Sequence, residues 1–334
     1  MNWRNKARLA KAISLLPDGI SSSAYYFMQR RFGGLRSASP DDHLQGAVTI
    51  VESIRRHGRE LRGGETFLEL GTGRSLALPI ALWLCGASRI ITVDRNPYLK
   101  SELVFEELSY SRNQQETLKR VFSPYNQERL FNERFESLTK FKGGLTDLLS
   151  LLNVCYLAPV DAAHLDLPSE SVDFHFSFGV IEHVDSRLLD GIFFESRRVL
   201  KHDGLAVHYA TLADLFSGID HSISPVNFLQ FSQEEWDSIA GNRYMYHNRM
   251  RVDDLRGLFE RTGFRILELR AKVHPESLRL IVSGEMPLDA RFQRKSPEIN
   301  ASQHVWLCAA PALYSVRSLS LFLNRLLYVE HSIL

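Results

Sequence analysis

One carboxylate, Asp94, and two glycines, Gly71 and Gly73, are spaced as a nucleoside-binding unit requires. The apolar run Phe67-Leu68-Glu69-Leu70 breaks into Gly71-Thr72-Gly73, directly before a helical pattern expected to begin near Arg74. Glycines without a Cβ let the backbone take positive φ and approach a ligand, while the first turn of the helix offers unpaired N–H groups. About twenty residues on, the β-branched run Arg89-Ile90-Ile91-Thr92-Val93 ends in Asp94, at the spacing where doubly wound folds place an acid on a ribose diol. A helix N-cap is the other reading of Asp94, since Asn96-Pro97 follows. The third glycine of a dinucleotide fingerprint is replaced by Leu76, which argues against a nicotinamide cofactor.

Further elements follow in order. Asp161-Ala162-Ala163-His164-Leu165-Asp166-Leu167-Pro168 precedes Ser171-Val172-Asp173, then Gly179-Val180-Ile181-Glu182-His183-Val184, then Arg198-Val199-Leu200-Lys201 with Gly204. Together with the glycine turn, these residues resemble the class I S-adenosylmethionine-dependent methyltransferases of the type 11 methyltransferase family, over roughly residues 64 to 211. The resemblance implies S-adenosyl-L-methionine as cofactor. It places Glu69, Gly71, Thr72 and Gly73 around the methionyl part, Asp94 and Arg95 at the ribose, Asp161 and Ala162 beside the adenine, and Gly179 at the same ligand-facing edge. The chemistry of each acid agrees, because a carboxylate accepts hydrogen bonds from ribose hydroxyls, an adenine amino group or an ammonium.

Methyl transfer to a hydroxyl also needs a base, a task that suits a neutral histidine. His183 is one candidate, and His221 beside Asp220 is another, as an oriented carboxylate–imidazole pair. Structural roles compete with both readings: a cofactor-side role for His183 and ordinary loop chemistry for Asp220-His221-Ser222. The segment from Asp220 through Trp236 to His247-Asn248-Arg249 resembles a bacterial subgroup associated with surface polysaccharides, which implies a sugar or glycan acceptor. A lipid-like or quinone-like acceptor at a membrane surface is the rival, and a non-catalytic cofactor-binding or partner subunit is the reading from another class. No spacing suggests a metal site, and none is expected.

Positioning these residues requires an α/β framework. Strands are expected near 66–70, 90–94, 154–158, 172–178, 204–210, 264–271 and 303–309, with helices between them. The alternation implies a Rossmann-like, mostly parallel seven-stranded sheet with helices on both faces, and the family resemblance makes the last strand antiparallel. Residues 1–63 read as a basic arm and helical cap, with a helix from Asp41 to Leu61. Residues 64–310 read as the methyltransferase domain, and 311–334 as an amphipathic helix suited to a membrane, a second subunit or the core. Two insertions interrupt the domain, a helical one at 98–150 with a break near Ser123-Pro124 and an acceptor-side one at 212–250. The first reads equally as a lid or a buttress.

Composition sets the outer bounds. The 334 residues are 44% hydrophobic and 24% charged with a formal net charge of +1, which gives no electrostatic case for nucleic acid. Cys85, Cys155 and Cys308 read as separate reduced thiols, pointing to a cytoplasmic protein. The N-terminal arm carries Arg4, Lys6, Arg8, Lys11, Arg30, Arg31 and Arg36 against the single acid Asp18. It suits either the inner face of an anionic membrane or a solvated face of a packed helix. A homodimer through the terminal helices is the remaining partner expectation.

Overall fold

A computed structural model describes residues 2–35, 40–122, 124 and 128–312. The expected C-terminal amphipathic helix, Arg36 and Ser123 of the expected break lie outside the described residues.

Seven strands form one sheet in the order β3-β2-β1-β4-β5-β7-β6. They are β1 (Thr66–Leu70), β2 (Arg89–Val93), β3 (Val154–Leu157), β4 (Val172–Phe178), β5 (Leu200–Thr211), β6 (Phe264–Val273) and β7 (Ser302–Pro311). The first five run parallel, and β7 is antiparallel to both β5 and β6. Strand order reverses between β1 and β4, so the crevice beyond their carboxyl ends is where such a sheet takes a ligand. The strands alternate as period-two elements must: Phe67 packs with one layer of helices, Leu68 and Leu70 with the other.

The helices before β1 are α1 (Trp3–Ser14), α2 (Asp18–Phe32) and α3 (Asp41–Arg56), followed after β1 by α4 (Ala77–Leu84). All eight residues of α4 are buried, and a helix apolar all round must be covered on every side. The sheet and α3 cover part of it. The long insertion covers the rest with four helices, α5 (Ser101–Asn113), α6 (Gln115–Phe122), α7 (Glu128–Lys140) and α8 (Leu145–Leu151). Leu118, Phe122, Phe131 and Phe135 join the same core as α4, and Arg134 donates to the carbonyls of Trp83 and Ala87 while lying over the Trp83 ring. These bonds tie the insertion to the last turn of α4 and to the chain just after it. The α6–α7 part is therefore a buttress.

The opposite face carries α9 (Ser186–Val199) and, further along the chain, α11 (Val252–Arg261), whose Val252, Leu255, Leu258 and Phe259 make an apolar stripe. Between them lies α10 (Gln233–Ala240). A second core gathers Trp3, Ala7 and Ala10 of α1 with Phe216, Phe228, Trp236 and Met286. The spacing 3, 7, 10 puts those three α1 residues on one face, so α1 is docked onto the acceptor-side insertion. Three short helices between β6 and β7 complete this lobe: α12 (Pro275–Val282), α13 (Ala290–Gln293) and α14 (Pro297–Asn300). They form a third insertion that the sequence reading did not separate. No helix among the described residues is long and apolar enough to cross a membrane.

Candidate active site

The turn after β1 is fastened to β2. Gly71 N–H donates to the Val93 carbonyl at 2.8 Å, and Gly71 and Gly73 take φ of 83° and 66°. The two glycines answer different demands. A Cβ on Gly71 would stand 2.6 Å from Val180 Cγ2, whereas a Cβ on Gly73 would meet nothing within 4 Å. Gly71 thus lets the β1 and β4 loops touch, and Gly73 faces open space. Alanine at either position costs about 1–2 kcal/mol for the left-handed conformation. At Gly71 the contact with Val180 adds about 1–3 kcal/mol. Denaturant unfolding should therefore show Gly71→Ala as clearly the less stable variant, and equal losses would contradict the role given to Val180.

The helix starts at Ala77, with Leu76 as N-cap, and not near Arg74 as the sequence suggested. The loop is longer because it is held from outside. Glu107, on α5, hydrogen-bonds the Ser75 side chain and the Leu76 backbone, and burial raises its pKa to about 7. Gly73 N–H donates to Asp94 Oδ2 and Asn96 N–H to Asp94 Oδ1, both at 2.9 Å. Asp94 therefore ties the two loops together, and each oxygen retains acceptor capacity. Partial burial raises its pKa despite those bonds.

Glu69 lies buried on β1, where Thr92 Oγ1 donates to Glu69 Oε2 at 2.5 Å. Thr92 has one hydroxyl hydrogen, so Thr72 Oγ1, also 2.5 Å from Thr92 Oγ1, must be the donor to Thr92. Burial pushes the Glu69 pKa up to about 8; the Thr92 bond opposes that rise and the Asp94 charge adds to it.

Beyond β3, Val160 N–H donates to the Asp94 carbonyl at 2.9 Å, which brings the Asp161 loop beside β2. Asp161 is exposed; the Ala163 N–H bond at 3.0 Å, above all, holds its carboxyl below the usual range, and the Arg95 charge acts in the same direction. Arg95 is exposed and Ala162 is half-buried against the α9 layer. Gly179, at φ 69°, ends β4 with its N–H on the Tyr209 carbonyl at 3.0 Å. Glu69, Gly71, Thr72, Gly73, Asp94, Arg95, Asp161, Ala162 and Gly179 thus all lie at or just past the carboxyl ends of β1 to β4.

Past Gly179, Ile181–His183 form a 3-10 turn. Glu182 is buried: Oε1 accepts from Thr211 N–H at 2.9 Å, Oε2 has no partner, and burial raises its pKa. Asn248 clamps the turn, with its N–H on the Glu182 carbonyl and its side chain donating to the carbonyls of Ile181 and Val184 at 2.8 and 3.0 Å. His183 is exposed, and its Nδ1 lies 3.1 Å from the Tyr246 carbonyl oxygen. A carbonyl only accepts, so Nδ1 carries a hydrogen, and Nε2 is the nitrogen that bears the lone pair when the ring is neutral.

The expected Asp220–His221 pair does not form. Asp220 Oδ2 accepts from Trp3 N–H at 3.0 Å, and Oδ1 accepts from the Ser222 N–H and hydroxyl at 3.1 and 2.5 Å. The carboxylate anchors α1 and an Asx turn instead, and His221 is exposed beside it. The expectation that 244–249 supplies an acceptor wall needs a similar correction, because His247, Asn248 and Arg249 are buried and serve the loop's own architecture. Glu107 was missed by sequence reasoning, and Asn248 was read as acceptor-side where it clamps the Ile181–His183 turn. Their partners lie more than thirty residues away, and no local pattern marks them.

Sheet order, the glycine turn and acids at the strand ends define a Rossmann-like nucleoside-binding enzyme class. Residues 68–208 match the family model described as a methyltransferase domain. The chain carries that domain and is an S-adenosylmethionine-dependent methyltransferase. No curated protein matches the sequence. Among solved structures, a S-adenosylmethionine-dependent methyltransferase from Methanosarcina mazei is 14% identical with a TM-score of 0.40, over 78% of this chain and 97% of that one. Geranyl diphosphate C-methyltransferase from Streptomyces coelicolor A3(2) is 11% identical with a TM-score of 0.43, over 78% of each chain. The [4+2]-cyclase SpnF is 14% identical with a TM-score of 0.41, over 81% of this chain and 82% of that one.

Proposed function

We propose that the enzyme methylates a hydroxyl of a sugar or glycan, with His183 as the base. The observation that carries this reading is the His183–Tyr246 hydrogen bond, which leaves an exposed Nε2 lone pair just past the end of β4. The cofactor fits the residues present. Gly73 leaves room above the loop, and three acids, Glu69, Asp94 and Asp161, face a ligand that carries a sulfonium and an ammonium. In this reading Glu69 holds the ammonium end, Asp94 the ribose hydroxyls and Asp161 the adenine side, with the loop residues Gly71, Thr72, Arg95, Ala162 and Gly179 around them. When bound, S-adenosylmethionine supplies an electrophilic methyl carbon. His183 Nε2 takes the acceptor's hydroxyl proton as the oxygen attacks in line, and the products are a methyl ether and S-adenosylhomocysteine. Alignment and exclusion of water contribute most of the rate, on the order of 7–11 kcal/mol in ideal cases.

Incubation of the protein with isotope-labelled S-adenosylmethionine and separate panels of glycans, quinols and isoprenoids, read by mass spectrometry, tests the acceptor. Label in a glycan methyl ether is expected. Label only in quinols or isoprenoids would overturn that choice, and failure to bind S-adenosylhomocysteine would revive a non-catalytic subunit.

Glu69 gives a second test. Its raised pKa means that the fold favours the protonated form, so its stabilising contribution is complete below the ordinary carboxyl value of 4.5 and is lost as pH rises through about 8. An ammonium brought beside it reverses the preference. Cofactor binding at pH 7 should therefore release about one proton, seen by calorimetry in buffers of different ionisation enthalpy. Glu69→Gln should abolish the release, and a buffer-independent enthalpy for the native chain would refute the assignment.

One observation favours the lipid-like acceptor as a second reading. Leu9, Leu15, Leu16, Ile20, Phe27 and Phe32 are exposed on α1, α2 and their connection, among the exposed cations Arg8, Lys11 and Arg31. An anionic bilayer suits that mixture, each cation adding about 1 kcal/mol near the surface. Flotation with phosphatidylserine vesicles that is lost in Phe27→Ser/Phe32→Ser would support peripheral attachment; no flotation of the native chain would remove it.

A further inference from the structure

Helix α2 lies across the segment that follows Asp94, and a cleft of about 440 Å³ opens between them. The helix is held from both sides. Tyr25 stacks on Tyr244 at 3.9 Å with Ser21 Oγ 2.6 Å from the Tyr244 hydroxyl, and on the other side Arg30 grips both oxygens of Glu106 at 2.9 and 2.5 Å. The cleft is thus a fixed feature between the acceptor-side insertion and α5.

Its walls carry three cations, Arg74, Lys100 and Arg243, against one acid, Asp18. Asp18 is taken by Arg243 at 2.7 Å. The other two cations converge on aromatic rings: the Arg74 guanidinium lies 5.3 Å from the Tyr26 ring and 5.1 Å from the Tyr98 ring, and Lys100 Nζ lies 5.5 Å from the same Tyr26 ring. Lys100 N–H also donates to the Arg74 carbonyl at 3.1 Å, fixing the two residues side by side. Among the described residues neither makes a salt bridge to a carboxylate. Like charges around one ring repel, and cation–π contacts return only about 0.5–1 kcal/mol each at exposed sites. An anion between them would remove that repulsion.

We propose that this cleft seats a phosphate or diphosphate group of the methyl acceptor. A guanidinium fork and an ammonium point charge are the usual pair for phosphate oxygens, and Ser22 and Ser23 complete the wall with their hydroxyls turned to the Gly19 carbonyl. The volume falls within the range of ligand sites, roughly 300–1,000 Å³, and exceeds what an inorganic ion needs. The position is the acceptor's too: Arg74 directly follows Gly73, and Asn96 and Tyr98 lead away from Asp94, so a ligand here borders the cofactor loops. The inference rests on the methyl-transfer reading and narrows its acceptor to a phosphorylated one, whether a sugar phosphate or a lipid diphosphate.

Calorimetric titration of the full chain with inorganic pyrophosphate, at saturating S-adenosylhomocysteine and low salt, tests it. Binding is expected, weakened at least about tenfold in Lys100→Gln and in Arg243→Gln. S-adenosylhomocysteine affinity should stay unchanged in both variants. No pyrophosphate binding, or binding unaltered in both, overturns the site. A sugar 1-phosphate and a prenyl diphosphate, titrated in parallel, distinguish the source; if neither binds better than pyrophosphate, the cleft is not an acceptor site. Should the native chain fail to bind S-adenosylhomocysteine, the methyltransferase reading fails whatever pyrophosphate does.

Discussion

His183→Ala is expected to slow methyl transfer by about 10²–10⁴-fold, the usual worth of a positioned general base, while leaving S-adenosylhomocysteine affinity within about twofold. The division follows from geometry. The His183 ring bonds to the Tyr246 carbonyl, on the acceptor-side insertion, whereas Asp94 bonds to Gly73 and Asn96 in the loops after β1 and β2. The nearest imidazole, His247, lies 6.3 Å away and is buried, and burial holds its pKa well below the ordinary histidine value. It is therefore neutral and does not compete for the proton. Asn248→Ala tests the clamp on the turn: kcat should fall by about tenfold with KM nearly unchanged, because the turn loses the two side-chain hydrogen bonds to the Ile181 and Val184 carbonyls. His221→Ala should leave kcat at the native value, since Asp220 serves Trp3 and Ser222. A native rate in His183→Ala, with loss in His221→Ala, would move the base to the other histidine.

The contrast between those two histidines marks what sequence could and could not reveal. The positions of Gly71, Gly73 and Asp94 past strand ends were legible because strand ends are written in local apolar runs, whereas Glu69 and Asp161 were singled out by the family resemblance. All seven strands were legible for the same reason. The antiparallel turn of β7 was not, since nothing local in Ser302–Pro311 records its direction, and it came from resemblance alone. Asp220 beside His221 looked like a pair because they are neighbours in sequence. In the fold the carboxylate turns instead to Trp3, 217 residues away. Tyr25 meeting Tyr244 and Glu107 reaching Ser75 are long-range contacts of the same kind, invisible to periodicity. The insertion at 98–150 was legible as helical from its length and pattern. Its task as a buttress depended on α4 being apolar all round, a clue present in Ala77-Leu78-Pro79-Ile80-Ala81-Leu82-Trp83-Leu84 but readable only once the sheet was seen to cover one side.

The same long-range logic makes Arg251 the residue whose loss should most damage the fold. Its side chain is fully buried, and its guanidinium donates to the carbonyls of Leu212 at 2.6 Å, Asn300 at 2.9 Å, Ile299 at 3.3 Å and, closer still, Ser302. Those four carbonyls belong to the chain leaving β5 and the chain entering β7, so one side chain fastens the acceptor-side insertion to the third insertion. Burial lowers the Arg251 pKa only to about 9, and the group remains a cation at neutral pH. Arg251→Met keeps much of the volume but leaves the carbonyls without their donor. The expected loss is about 3–5 kcal/mol, as for breaking a buried charged network. For a chain of this size that is a fall of roughly 4–7 °C in unfolding midpoint. Arg261→Met is the control: its exposed pairing with Asp190 should be worth under about 1 kcal/mol. Because the 244–249 segment and the His183 turn hang from the insertion that Arg251 anchors, Arg251→Met should also raise hydrogen exchange at residues 244–250 before β1 and β2 are affected. Equal midpoints for the two arginine variants would show that the lobe is fastened elsewhere.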